Sequence, residues 1–578
     1  MVKLLTIDGE NFDKNNVLPE YPRPNFVRDS YINLNGPWKC KISKSNSLDQ
    51  KLDREIVVPY PVESILSGIN EQIDASDCII YERDFVFPDH FRSDQVLLNF
   101  EAVDYKCFVY VNKTYIGYHE GGYLPFSFNI TSALHYERNS IQVVVQDDTY
   151  NKGNARGKQA KESGGMWYTP CSGIWQTVWM ESVMNGYMKN VRITPNIDNS
   201  TVNFEIDCDD EIKEGNILIT FDNAIVVHEA FSSNQFTISI PNQKLWTPET
   251  PNLYEVKMTT SCDVVTSYFG MRKVSVGESK YGRCILLNNT PYFNNGLLDQ
   301  GYFPDGNMTP ASDTMLRNDI ISMKTLGFNM LRKHIKRESR RFYYHCDKIG
   351  MLVWQDMVNG GKYDYFSMTV LPTLRLQYRN DHAYHHFGRN QLDNRATFVS
   401  DMRETIKLLY NHPSIVVWVP FNEGWGQFDA KMIARMIKKI DSTRLVDHAS
   451  GWFDQGGGDL RSLHIYFRKL KVHHDHHYHR PVVVSEFGGY SHSVKDHIYN
   501  PSNEYGYTKF PALIDFQKRF NSAYLDEVIP QIKRGLCATV YTQVSDVEDE
   551  TNGLLTYDRK VLKVDVETTR QIMEKVKI

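Results

Sequence analysis

The alternation of apolar and polar positions changes character twice along the chain. From about Ser30 to Val183, short runs such as "FVYVNKTYIGYH" (108–119) and "SIQVVVQDD" (140–148) alternate with period two, the signature of half-buried strands. Asn112-Lys113 interrupts two of these runs and predicts a hairpin turn. The regular strand spacing predicts a β-sandwich. A second β segment runs from about Met188 to Val276 through "VNFEID", "NILITFD", "QFTISI" and "LYEVKMTT". Its length suits an immunoglobulin-like sandwich of about 100 residues, without the Cys-Trp-Cys hallmark of antibody domains.

After about Ser279 the pattern becomes strand, loop, helix, repeated. "PYFNNGLL" predicts a strand, and "TPASDTMLRNDIISMKTLG" a helix with Leu316, Ile320 and Met323 on one stripe and Gly327 as its stop. Further strands are predicted at "NMLR", "MLVWQD", "SIVVWVPFN", "TRLVDHA", "SLHIY", "PVVVSE" and "CATVYTQ", with helices between most of them. Eight strands alternating with helices over about 300 residues are the arithmetic of a (β/α)₈ barrel. The sixth unit is the least marked, since the helix after "SLHIY" is not obvious. The expected division is residues 1–185, 186–278 and 279–578, which makes a multidomain chain of β and α/β parts.

Composition changes this picture little. The chain has 578 residues, 41% hydrophobic and 23% charged, with a formal net charge of −5 and mixed signs throughout. That argues against a nucleic-acid partner. No run of about 18 apolar residues exists to span a membrane, and the apolar run at the N-terminus is short for a signal peptide, so a cytoplasmic location is the expectation. Nine scattered cysteines without a C-x-x-C pair are expected to be reduced and structural.

The chemistry is carried by two passages of one design. "SIVVWVPFNEGWGQFD" (414–429) and "RPVVVSEFGGYS" (480–491) each lead a buried strand to a glutamate followed by glycine or by an aromatic and glycines. In the strand count these are the fourth and seventh barrel strands, whose C-terminal ends face one mouth. Glu423 and Glu486 should therefore converge. A carboxylate is costly to desolvate, and a pair of them across a sugar ring is the equipment of glycoside hydrolysis.

Those two motifs resemble glycoside hydrolase family 2, which contains β-galactosidases, β-glucuronidases and β-mannosidases. The resemblance extends over most of the chain, through "RPNFVRDSYINLNGPWKC", "SGIWQTVWME", "LWTPETPNLYEVKM", "LGFNMLRKH" and "VSDVEDETNGLLTYDR". It implies a jelly-roll sugar-binding domain, an immunoglobulin-like sandwich and a catalytic (β/α)₈ TIM barrel. It further implies a retaining mechanism, with Glu423 as general acid/base, Glu486 as nucleophile and Asn422 on the sugar 2-hydroxyl.

Weaker candidates surround this pair. Trp425 and Tyr466 could stack on a sugar face, and Asp299 and Gln300 end the first barrel strand as hydroxyl binders. Arg332 and His334 end the second strand and resemble the family's Arg-x-Ser-His segment, here one residue shorter as "RKHIK". Tyr541 stands on the eighth strand where many members present tryptophan. The family's Asn-x-Lys element for a uronate carboxylate is replaced by Glu550 and Asn552, and the mannosidase-type Asn-Asn-Glu is absent, since Phe421 precedes Asn422. A neutral β-linked sugar, galactose first, is the expected substrate. The alternatives are a β-glucuronidase, β-mannosidase or α-L-arabinosidase specificity, or a non-catalytic carbohydrate-binding protein. No cofactor is required for the chemistry. Some members hold magnesium or sodium near the site, and the histidine run His473 to His479 offers a metal-hydrolase alternative, although a solvated loop is the favoured reading. The carbohydrate is the expected partner, and the sequence leaves monomer or homo-oligomer open.

Overall fold

A computed structural model describes residues 3–148, 153–373 and 380–578. The first domain is a sandwich of a four-stranded and a six-stranded sheet, closed over a core that includes Trp38, Ile79, Leu98, Val109, Val143 and Met180. The predicted hairpin is present: strands Lys106–Val111 and Thr114–Glu120 are joined by Asn112 and Lys113, both at positive φ (50° and 66°). That is the two-residue turn whose twist matches antiparallel strands, and asparagine tolerates it well. The second domain packs a three-stranded sheet on a four-stranded one around Phe204, Ile217, Val256 and Phe269.

The third domain is a curled sheet of eight parallel strands. They run Asn294–Asp299, Met330–Lys333, Leu352–Asp356, Ile415–Val419, Leu445–Val446, Arg461–Ile465, Val482–Gly488 and Leu536–Thr542. The first strand pairs with the eighth, while the fifth and sixth are not hydrogen-bonded to each other among the described residues, which leaves the barrel open on that side. Alternation sorts the side chains. Leu298, Met330, Trp354, Val417, Val419 and Val540 fill the interior, and Leu297, Leu331, Val353, Trp418 and Tyr541 face the helices. The first predicted helix spans Asp313–Thr325, capped by the Ser312 hydroxyl accepting from the Met315 amide at 3.2 Å. No helix lies between the fifth and sixth strands or between the sixth and seventh among the described residues.

The domains are bolted together by buried polar contacts. Arg337, from the barrel, donates to the Glu101 carbonyl and to the Gln176 side chain, both at 2.9 Å. Residues 153–169 of the first domain extend over the barrel mouth: Gly157 donates to the Asn359 carbonyl at 2.9 Å and Thr169 to the Glu548 carboxylate at 2.7 Å. This arm is one wall of the site described next.

Candidate active site

The seventh strand does not deliver Glu486 by simple alternation. Leu463 pairs with Val484 but His464 pairs with Glu486, so Ser485 is an extra residue on this strand, a β-bulge. The bulge turns Glu486 inward while Phe487 still faces the helices against Tyr541, with ring centroids 5.5 Å apart. On the fourth strand the chain leaves the sheet through Glu423 and Gly424, both left-handed (φ 53° and 76°), and the Glu423 amide donates to the Ser450 carbonyl at 3.0 Å. A side chain at Gly424 would meet the Phe453 ring at 2.4 Å, so glycine there is forced.

Carboxylate oxygens of Glu423 and Glu486 and a ring nitrogen of His464 all lie within 4.8 Å of one another. Arg332 Nη1 donates to Glu486 Oε1 at 3.1 Å, and the Tyr466 hydroxyl to Oε2 at 2.6 Å. Burial would raise the Glu486 carboxyl, but His464, Arg332, His334 and the Tyr466 hydrogen bond outweigh it and hold it down at about 2. Glu486 is thus ionised at neutral pH. Arg332, wholly buried, is itself fixed by a bidentate pair with Asp356 at 2.9 and 3.0 Å, and it donates to Asn422 Oδ1 at 2.8 Å. The Asn422 oxygen is thereby occupied, and its NH₂ end is the one left for a ligand. His334 Nδ1 lies 2.7 Å from Asp356. Burial pushes His334 down, although Asp356 works against it.

Four expected site residues have other roles. Tyr541 lies outside the site: alternation on the eighth strand puts Val540 and Thr542 inside and Tyr541 among Phe487, Phe520 and Tyr524. Thr542 takes the inner position, its hydroxyl 3.0 Å from that of Tyr466. Asp299 also faces the helices, ion-paired with Lys333 at 2.7 Å. Gln300 donates to Gln543 at 2.8 Å and belongs to an amide chain that continues to Asn552. Trp425 is packing: it meets Trp167 edge-on at 5.2 Å, Arg156 lies over its ring, and its indole donates to the Gly361 carbonyl at 3.1 Å. It fastens the sandwich arm to the barrel.

His464 was missed, although it sits two positions before Tyr466 on a strand and so shares its face. Nδ1 is 2.9 Å from Glu423 Oε1 and Nε2 3.6 Å from Glu486 Oε1. Lys158 and Met166, from the first domain, carried no local signal. Met166 lines the pocket beside Glu423, and the Lys158 charge acts on both Glu550 and His334. Glu550 is buried and accepts from the Tyr168 hydroxyl.

Among the described residues two sets of side chains could hold a cation: Glu423 with His464 and Glu486, and Asp381 with His382 and Asp429. The first does not suit a metal, because Arg332 and Tyr466 already donate to Glu486 and a second cation would stand against the guanidinium. In the second, Asp381 accepts from Gln427 and from the Ala430 amide of the following helix. The histidine run forms neither set: the His474 ring packs beside Gly535, and Asp475 pairs with Arg480 at 2.7 Å. Among the described residues no helix is long and apolar enough to cross a membrane.

Family models match nearly the whole of this architecture. The sugar binding domain of glycosyl hydrolases family 2 matches residues 32–183, the family's middle domain 186–272 and its TIM barrel domain 304–578. The chain belongs to glycoside hydrolase family 2. It is 23% identical over 493 residues to a beta-galactosidase of Actinobacillus pleuropneumoniae, covering 76% of this chain and 46% of that protein. It is 26% identical over 389 residues to a putative beta-glucuronidase of Formosa agariphila, covering 64% and 34%. The chain thus spans less than half the length of these two relatives. Its fold matches a beta-glucuronidase of an uncultured Clostridium with TM-score 0.74 and 17% identity, covering 96% of this chain and 99% of that one. The beta-D-glucuronidase of Dictyoglomus thermophilum matches with TM-score 0.73 and 18% identity, covering 96% and 98%.

Proposed function

We propose that this chain is a retaining exo-glycosidase acting on terminal β-linked neutral sugars, β-galactosides first. The observation that carries the reading is the approach of the Glu423 and Glu486 oxygens to within 4.8 Å, close to the roughly 5 Å separation of retaining enzymes and short of the gap an inverting enzyme keeps for water. Ionised Glu486 attacks the anomeric carbon while Glu423 protonates the departing oxygen. The resulting glycosyl ester no longer carries the Glu486 charge, and Glu423, now a base, takes a proton from the incoming water. Arg332 and Tyr466 keep Glu486 ionised and oriented, and the free NH₂ of Asn422 suits the sugar 2-hydroxyl. The chemistry needs no metal, so turnover should survive chelation. A 2-deoxy-2-fluoro glycoside should trap the ester on Glu486. Label on another carboxylate, or none, would overturn the assignment.

A second reading, a uronate substrate, is favoured by one feature. The Lys158 ammonium acts on Glu550 and His334 and makes no ion pair among the described residues; an aromatic face, Trp167, lies 5.8 Å away. Against it stands the buried Glu550 carboxylate at the same wall, which would repel a sugar acid.

A further inference from the structure

The leaving-group side of the site has a shape of its own. A cavity of about 370 Å³ opens outward from Glu423, with Met166, Pro372, Trp452, Phe467, Tyr505 and Tyr507 among its walls. Glu423 and His464 stand in that wall, whereas Glu486 does not. In a double displacement the acid carboxyl faces the departing oxygen, so the space it borders is where the aglycone sits.

Rings line the way out. Tyr466, bonded to Glu486, is stacked on Tyr507 at 4.1 Å and 28°, and Phe467 meets Tyr507 edge-on at 5.2 Å. Phe467 is 72% exposed and held in the left-handed region (φ 55°), which is unfavourable for so bulky a residue. Several of the polar groups here are committed, while Arg468, Trp452, Tyr505 and Tyr507 also bring polar ends to the wall. The Thr369 hydroxyl is 2.6 Å from that of Tyr363, the Tyr466 hydroxyl serves Glu486 and Thr542, and His464 Nδ1 serves Glu423. Among the lining residues Trp452, Phe467, Tyr505 and Tyr507 are rings, and a flat aglycone needs their faces and edges with only a few polar partners.

We propose that this cavity is a leaving-group subsite for a flat aromatic aglycone, so that the natural substrate is a glycoside of a phenolic or similar ring compound and not an oligosaccharide. The inference rests on the glycosidase reading above. Its test compares a 2-naphthyl glycoside, a disaccharide and the glycosyl fluoride of one sugar, in the wild-type protein and in Phe467→Ser and Trp452→Ala. The wild type should prefer the naphthyl glycoside to the disaccharide by more than about tenfold in kcat/KM, and each variant should lower the naphthyl-to-fluoride ratio by about fivefold, as expected for one ring contact. Preference for the disaccharide, or losses shared equally by the fluoride, would overturn the aglycone assignment. The glycosidase reading would stand as long as the fluoride is turned over through Glu486, and would fall if it is not.

Discussion

His464 holds Nδ1 2.9 Å from Oε1 of Glu423. When Glu423 carries the proton it must donate, Nδ1 is the acceptor, and the other nitrogen keeps the ring proton 3.3 Å from Ser450 Oγ. When Glu423 has lost it, the opposite tautomer donates back. The ring is enclosed by charges: Glu423, Glu486, Arg332, the Tyr466 hydroxyl and Asp447, which burial pushes up. His464→Gln should lower kcat/KM by about 10- to 100-fold. Because the ring positions the acid carboxyl, the loss should be larger for glycosides with poor leaving groups than for activated aryl glycosides. An equal loss for every leaving group would mean that His464 only packs.

Glu423→Ala separates acid catalysis from binding. Hydrolysis of glycosides with poor leaving groups should fall by about 10²- to 10⁴-fold, while formation of the glycosyl ester from activated aryl glycosides is spared. Azide should then accelerate turnover and leave a β-glycosyl azide, because the alanine opens room for the anion beside the ester. An equal loss for every leaving group, without azide rescue, would remove Glu423 from this role.

Much of the site was legible because strand order and motif act together. Glu423 and Glu486 followed from counting barrel strands, and Arg332 and Tyr466 from the ends of the second and sixth. What escaped depended on registers of a single residue. Tyr541 and Asp299 face the helices because their neighbours Val540 and Leu298 take the interior, and Glu486 faces inward only because Ser485 bulges. Lys158 and Met166 escaped for a different reason: they belong to a sandwich 250 or more residues away in sequence from the glutamates they approach. No local period encodes such an approach.

The first sandwich carries its own pH dependence. The single Ser172 hydroxyl lies 2.7 Å from Glu63 and 2.7 Å from Asp147, and one hydroxyl proton cannot serve two carboxylates. Burial pushes Glu63 up to about 8, and Asp104 nearby is pushed up as well. A carboxyl raised on folding binds a proton that the unfolded chain releases near its ordinary value of about 4.3. Its stabilising contribution is therefore complete below about pH 4.3 and is lost as pH rises through about 8. The urea midpoint of the wild type should fall between pH 5 and pH 8. Glu63→Gln, which keeps an acceptor for the Ser172 amide, should flatten that slope and be the more stable protein at pH 8. Parallel slopes would show that Glu63 is ionised in the folded state.

Sugar specificity turns on Glu550 and Lys158. The other cations near the eighth strand are spoken for: Arg559 donates to the Tyr302 carbonyl at 2.8 Å and lies by Asp319, and Lys560 pairs with Glu10 at 2.5 Å. A uronate carboxylate at this wall would meet Glu550, and the like-charge contact costs free energy in a partly desolvated site. The kcat/KM for an aryl β-galactoside should thus exceed that for the β-glucuronide by more than about tenfold, or about 1.4 kcal/mol in transition-state binding. Burial also pushes the Glu550 carboxyl up, against the pull of Lys158. As pH falls and Glu550 gains its proton, the repulsion disappears, so the glucuronide should gain on the galactoside at the acid end of the profile. Glu550→Gln should raise the glucuronide-to-galactoside ratio by about tenfold at neutral pH and abolish its dependence on pH. If instead the wild type prefers the glucuronide and Lys158→Met costs it about 100-fold while the galactoside falls far less, the ammonium of Lys158 is the uronate's partner and the neutral-sugar reading is wrong.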